Sequence, residues 1–333
     1  MDIFNAIGQK LLKKSGQVDD TTLPASILNR QQADRFIDLV VDTSVLLKNI
    51  RVVRVDHPKG QINRLNLADI SSEGVSAVST PTTYVPSESV IEYDMVKYRS
   101  AFDLTRDFEF DNIEKMAVRD TLLNMFTKRI RKDNEIALIQ SDDTLPTGDN
   151  ASAFNKLCGV NNGIRKILLE NVPAANILDA NGASVSKDLF YVAKGLIPVD
   201  YQVNEPDYRW IMNTAAHDKW VYDFQDRQTT AGDNAQGGVA PGPWGIPILK
   251  VPQMPNNLNY SGTADRCDIW LTPPQNIIWF VQREMSIEQE RRPRQDINEI
   301  TMYWRVDFQV ENPDLVVYIK NIKLSGANYD ATP

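Results

Sequence analysis

Near the end of the chain, Trp304, Val306, Phe308 and Val310 alternate with Arg305, Asp307, Gln309 and Glu311. This period of two predicts a strand with one face on a core and one on solvent. Asn312-Pro313-Asp314 interrupts it, and Leu315 to Ile319 reads as an antiparallel return strand. A different period governs 113 to about 141. There Met116, Leu123, Phe126, Ile130 and Ala137 fall on one stripe of about 80°. Asp111 and Glu114 open this segment with a D-x-x-E start resembling a capping box, and the run Ser141 to Gly148 ends it. The helix so predicted is roughly 40 Å long. Its other face, with Arg119, Lys128, Arg129, Lys132 and Asp133, reads as solvated.

The first residues, with Ile3, Ile7 and Leu11 at helical spacing beside Phe4 and Leu12, predict a short amphipathic helix. Two readings fit it: an arm that docks on a neighbour or a membrane surface, or a helix packed on its own domain. Ser15 to Leu23 is a polar linker, and a second helix is expected over Ala33 to Lys48. Arg51 to Val55 is β-branched and strand-like, broken by Pro58-Lys59-Gly60. From Gln61 to Ser89 the chain is rich in Ser, Thr and Val but poor in large core residues. That predicts a long hairpin projecting from the body, which needs a partner surface to be stable. Strand character returns over Val90 to Phe110. After Val160 the pattern is mixed: helices at Lys187 to Ile197 (Ser184 or Ser186 as cap) and Ala215 to Phe224, and a strand at Tyr208 to Met212. Thr229 to Gly245 reads as a mobile Gly-rich loop and Ile246 to Pro252 as extended, with strands at Asp268 to Leu271 and Ile277 to Val281.

Composition narrows the chemistry. The 333 residues are 42% hydrophobic, enough for a real core. Thirty-six basic against 44 acidic residues give a net charge of −8, which argues against gripping duplex DNA through its phosphates. No apolar run approaches the ~20 residues of a membrane helix, and the opening residues lack the order of a signal peptide. With only His57 and His217 there is no multi-histidine metal site, and Cys158 and Cys267 are too few for a disulfide scaffold. Neither H-E-x-x-H, G-x-S-x-G nor a phosphate-loop motif occurs, and the glycines from Gly237 to Gly245 lead into a strand rather than a helix. No catalytic, cofactor or metal residue is assigned. Arg291-Arg292-Pro293-Arg294, with Arg283 nearby, is the compact basic run, suited to carboxylates of a partner, to nucleic acid, or to solvent.

The order of elements is arm, helix, strand, projecting hairpin, strand, long helix, α+β insertion and terminal strands. It resembles the major capsid protein of tailed bacteriophages, the Hong Kong 97-like fold. The most specific parts are Arg209-Trp210-Ile211-Met212-Asn213 with the helix after it, and Gly242-Pro243-Trp244-Gly245-Ile246-Pro247-Ile248. These are similar to the family's axial-domain strand, helix and Gly-Pro loop, and Tyr303 to Phe308 resembles its closing strand. The long charged N-terminal segment that some members use as a built-in scaffold is missing.

The resemblance implies an α+β fold in five parts. They are an N-terminal arm (1–49), an extended β-hairpin loop (50–95), a peripheral domain with the spine helix (96–176), an axial α/β domain (177–283) and peripheral terminal strands (284–333). It implies a structural protein, not an enzyme, forming hexamers and pentamers of an icosahedral shell around phage double-stranded DNA. Partners would be further copies of the chain, with scaffolding, portal and decoration proteins; no cofactor and no membrane are implied. The chain would be made in the host cytoplasm and reside in the virion. Candidate contacts between subunits are Ile3, Ile7 and Leu11 on the arm and Asp56, Lys59, Glu73, Glu88 and Glu92 along the hairpin, against Arg283, Arg291, Arg292 and Arg294. Lys59 is a candidate for an isopeptide bond of the kind some members form, with no asparagine or glutamate partner identified. The alternatives are a tail-tube or sheath protein and an enzyme whose metal is held by aspartates, although D-x-D and EF-hand spacings are missing.

Overall fold

The computed structural model describes residues 26–27, 44–66, 87–105, 117–225, 241–260, 262–282 and 286–324. In chain order the first strands are β1 (Ser26–Ile27), β2 (Arg51–Val55), β3 (Lys59–Asn66), β4 (Ser87–Asp94) and β5 (Val96–Thr105). Helices α1 (Ala117–Gln140), α2 (Ala153–Cys158) and α3 (Ile164–Asn171) follow. Then come β6 (Ile177–Asp179), α4 (Lys187–Gly195), β7 (Arg209–Met212), α5 (Thr214–Gln225), β8 (Ile248–Lys250), β9 (Leu258–Tyr260) and β10 (Thr263–Thr272). The last strands are β11 (Ile277–Gln282), β12 (Ser286–Arg292), β13 (Ile297–Val310) and β14 (Val317–Lys323).

The fourteen-residue β13 organises the first sheet. Along one edge it pairs antiparallel with β12 (297–303) and then β11 (306–310); along the other it pairs with β5 over 297–306. Outside these lie β1 on β12 and β2, parallel, on β11. Trp304, Val306, Phe308 and Val310 share a core with Ile130, Ala137 and Leu138 of α1 and Ile164 and Leu168 of α3. Every residue of β11 is buried, because Trp279 and Val281 join that core while Ile278 and Phe280 face the opposite side of the sheet. A strand covered on both faces reads as a continuous apolar run, which Ile277 to Val281 is.

The second sheet runs β6-β14-β10-β7-β8, with β9 also on β10. Alternation again sorts its side chains. Ile211, Trp270 and Tyr318 face the core shared with α1 and α3, while Trp210, Met212, Ile269, Leu271, Val317 and Ile319 face a second core. That second core is closed by Phe190 and Ala193 of α4 and by Ala216, Trp220 and Phe224 of α5. The Ser186 hydroxyl caps α4 by accepting from Leu189 N at 3.2 Å.

Several expectations change. The return strand after Asn312 does not pair with β13: β14 crosses to the second sheet, antiparallel to β10 and parallel to β6. Its Val316 to Ile319 stretch is buried throughout, which an edge return could not achieve. The hairpin partner of β13 is β12, turning at Pro293–Asp296. The break after Arg51–Val55 falls at 56–58, and Lys59 and Gly60 already belong to the next strand, β3. Of the helix expected over Ala33 to Lys48, residues 33–43 lie outside the described residues, and 44–49 form a turn. There Glu135 Oε1 of α1 accepts from Ser44 Oγ and Leu46 N, both at 2.9 Å. Residues 229–240 of the Gly-rich loop also lie outside the described residues, and 241–245 form a packed turn with Pro243 buried.

Candidate assembly surfaces

β3 and β4 pair antiparallel from Lys59↔Asp94 to Asn66↔Ser87 as a two-stranded ribbon apart from both larger sheets. Its pleat separates two faces. Ile62, Ile91 and Tyr93 turn toward the body, where Tyr93 stacks on Phe280 with ring centroids 4.7 Å apart. Gln61, Asn63, Glu88, Val90, Glu92 and Asp94 face solvent. The base is fixed by Asp307, which sequence alternation assigns to a solvent face and which is buried instead. Its carboxylate accepts from Asp94 N (3.0 Å), Asn161 Nδ2 (3.0 Å), Phe308 N (2.8 Å) and Gln309 Nε2 (3.2 Å). Burial pushes its carboxyl above the ordinary value, against the pull of these donors.

From this base the ribbon runs past the end of β13: Arg64 Nη1 donates to Glu311 O at 3.3 Å. The basic turn lies the other way. Arg291 and Arg292 end β12, Arg294 sits in the turn, and ten residues of β13 separate Ile297 from Asp307, ~33 Å at strand rise. The acidic ribbon face and the arginines therefore occupy opposite ends of one subunit. Arg292 is already paired within the chain, with Glu299 across the β12–β13 ladder. Lys59 pairs with Asp94 at 2.5 Å, both exposed. Asp56 lies in the exposed turn before β3, its backbone oxygen accepting from Gln282 Nε2 at 3.2 Å. Glu88, Glu92 and Arg294 are exposed. Ile3, Ile7, Leu11, Glu73 and Arg283 lie outside the described residues.

Two features escaped the sequence reading. Asp268, almost fully buried, accepts from Arg165 Nε (2.9 Å), Tyr260 Oη (2.8 Å), Tyr318 Oη (2.5 Å) and Asn321 N (3.3 Å), tying α3 to the second sheet. Trp244 is exposed with a left-handed backbone, and Tyr191 lies against it. Both cysteines are buried and free, and burial pushes the Cys158 thiol up to about 11.

The described residues thus form a strand-rich body with a long helix, an α/β sheet and a two-stranded ribbon docked on the body at its root. The profile of the family "Phage capsid protein" matches residues 88–319. The chain belongs to the phage capsid protein family. A relative from Bacillus subtilis (strain 168), described as a prophage capsid protein, YqbE, is 27% identical over 321 residues, 95% of this chain and 99% of that protein. The subunit in the satellite phage P4 procapsid with its size determination protein superposes with a TM-score of 0.65 at 17% identity, covering 96% of this chain and 97% of that one. The capsid of a native GTA particle gives 0.59 at 14% identity, with 91% and 95% covered. The phage capsid protein thus has the Hong Kong 97-like α+β fold and is a structural protein of the virion shell.

Proposed function

We propose that this chain is the major subunit of an icosahedral shell, assembling as hexamers and pentamers around packaged double-stranded DNA. The observation that carries this reading is the ribbon β3–β4. It has its root locked to the body by Asp307 and Tyr93, and an outer face that nothing in its own chain covers among the described residues. A ribbon of two strands is marginal alone and gains its stability from a neighbouring surface. In a closed shell each such contact is heterologous, one surface meeting a different one on the next copy. Residues 56–95 then form the extended loop, and β2, 96–176, β11 and 284–312 the peripheral domain. Residues 177–276 with β14 form the axial domain, and 1–49 an arm that binds a neighbour through Ile3, Ile7 and Leu11. Asp56, Glu73, Glu88 and Glu92 face Arg283, Arg291 and Arg294 across subunit boundaries, with Lys59 beside them on the ribbon. The net charge of −8 suits a container, since a basic lining would hold phosphates. Synthesis in the host cytoplasm and work with scaffolding, portal and decoration proteins follow from this role.

Electron microscopy of the chain purified with its scaffold tests the reading. Closed particles with five- and six-fold clusters and nuclease-protected DNA are expected. Open tubes would overturn it in favour of a tail protein, and monomers under all conditions would overturn it outright.

A further inference from the structure

One half of the first sheet carries its charges in an order that its own ladder works against. The odd-numbered residues of β13 lie on the face where the ribbon docks, and the ribbon root covers the β11 end of it, where Tyr93 stacks on Phe280. Over 297–305 the same face is built from β5, β13 and β12, and there Lys97, Arg99, Asp103, Glu288 and Glu290 are exposed. The register sets like charges directly opposite one another three times: Lys97 beside Arg305, Asp103 beside Glu299, and Glu290 beside Glu299 from the other edge. Like charges so placed destabilise a sheet. Relief within the chain is partial. Lys97 Nζ lies 3.9 Å from the Tyr303 ring centroid, Arg305 Nη1 donates to Gln282 Oε1 at 3.2 Å, and Arg292 pairs with Glu299. Among the described residues no ion pair joins Arg99, Asp103, Glu288 or Glu290. The basic end at Arg99 and the acidic end at Asp103 are four residues of β5 apart, ~13 Å at strand rise.

We infer that this face docks on the same face of a second copy of the chain, turned end for end. The inference rests on the shell reading above and names a contact within it. A face with Lys97, Arg99 and Arg305 at one end and Asp103, Glu290 and Glu299 at the other is complementary to itself when reversed. An isologous contact needs that property, since one patch must serve both sides. With the two-fold axis lying across the strands near Ala101, Lys97 and Arg99 meet the second copy's Asp103, and Arg305 meets its Glu299 and Glu290. The small side chains of Ala101 and Thr301 at the centre let the two faces approach. Rows that are of one sign within each copy then alternate in sign across the boundary. Three strands over nine residues offer about 14 Å by 30 Å, roughly 400 Å² per copy. A stable complex of free proteins buries about 800 Å² on each partner. The contact therefore forms between subunits that the rest of the shell already holds, rather than between free ones.

Charge reversal in two sets tests it, with light scattering against subunit concentration as the readout. Lys97→Glu with Arg99→Glu leaves the face predominantly acidic, and Asp103→Lys with Glu290→Lys leaves it predominantly basic. Each set puts opposite charges across the ladder in place of like ones, so the subunit melt should stay at or above that of wild type. Each should nevertheless raise the concentration needed for assembly by about tenfold, most at low salt, because several weak exposed pairs turn repulsive together. An equimolar mixture of the two variants should recover most of the loss, and all four changes in one chain should restore assembly, since opposite charges again face each other. Should a reversal lower the melt, Arg99→Gln with Glu290→Gln, which removes charge without reversing it, should raise the threshold by about threefold. Variants assembling at the wild-type threshold, or a defect that neither the mixture nor the fourfold change relieves, overturn the self-docking face while leaving the shell reading intact. A wild-type chain that forms no shell overturns that reading and this inference with it.

Discussion

Asn276 and Asn312 exchange two hydrogen bonds of 2.8 Å, Asn312 N donating to Asn276 Oδ1 and Asn276 Nδ2 to Asn312 O. Both are buried where the chain passes twice between the sheets, from β10 to β11 and from β13 to β14. Asn276→Ala would leave a buried N–H and C=O of Asn312 unpaired, a loss of about 1–3 kcal/mol. Urea denaturation checks this; a change under about 0.5 kcal/mol, typical of an indifferent surface site, would refute the clasp.

The same crossing shows where sequence reasoning stops. Asn312-Pro313-Asp314 announces a turn, and Asn312 Oδ1 does accept from Asp314 N at 3.1 Å. Turn chemistry, however, fixes only the reversal, and the partner of the strand that follows is a tertiary choice: β10, some fifty residues earlier. The long helix was legible because its apolar stripe recurs on one face, and Ile130 and Ala137, two turns apart on it, are buried. Its last turns are buried more widely than the stripe implies, Asn134, Glu135, Leu138 and Ile139 included, because α3 and the 44–49 turn close over them. Asp307 sits on the polar register of β13, and two of the four donors that compensate its burial, Asn161 and Asp94 N, arrive from distant segments. For the assembly surfaces, composition revealed the ribbon and the basic run. That the two lie at opposite ends of β13 depends on strand order, which no local pattern carries.

Arg165 joins α3 to the second sheet through Asp268, whose side chain is only 1% exposed. Arg165→Met would leave that carboxylate with Tyr260, Tyr318 and Asn321 N as donors but no counter-charge. We expect a loss of about 3 kcal/mol, the lower end for breaking a buried pair. Adding Asp268→Asn should recover part of it, giving a coupling energy in a double-mutant cycle. Strict additivity of the two changes would show that the pair is not coupled.

Lys166 Nζ bonds Asp142 Oδ1 at 2.8 Å and also Asp143. Partial burial pushes the Asp142 carboxyl up, but the bonds from Lys166 and Thr144 outweigh it and hold it at about 2, below its ordinary 3.8. A carboxyl depressed in the folded state stabilises above its unfolded value, and that contribution fades as pH falls through the folded one. Lys166→Met should therefore be less stable than wild type near neutrality, with the gap closing between the ordinary value of 3.8 and about 2. A gap that stays constant across that acid range would mean that Lys166 does not act through Asp142.

The opposed ends of β13 decide which charge reversals are informative. Arg292 bonds Glu299 in its own chain, so reversing it would disturb the β12–β13 hairpin and confuse folding with assembly. Arg294 is exposed in the turn and can be reversed without touching the core. On the ribbon, Glu88 and Glu92 are exposed and beyond the reach of Arg294 in the same chain. If a second copy brings these groups together, each exposed pair contributes only ~0.2–1 kcal/mol, but a closed shell repeats it in every subunit. Arg294→Glu should leave the monomer melt unchanged and weaken assembly, most at low salt where the Debye length is long. Changing Glu88 and Glu92 to lysine in the same chain should restore assembly, since every boundary then carries the swapped pair. Light scattering against ionic strength reads both effects. Equal assembly of Arg294→Glu and wild type at all salt concentrations would remove this arginine from the boundary.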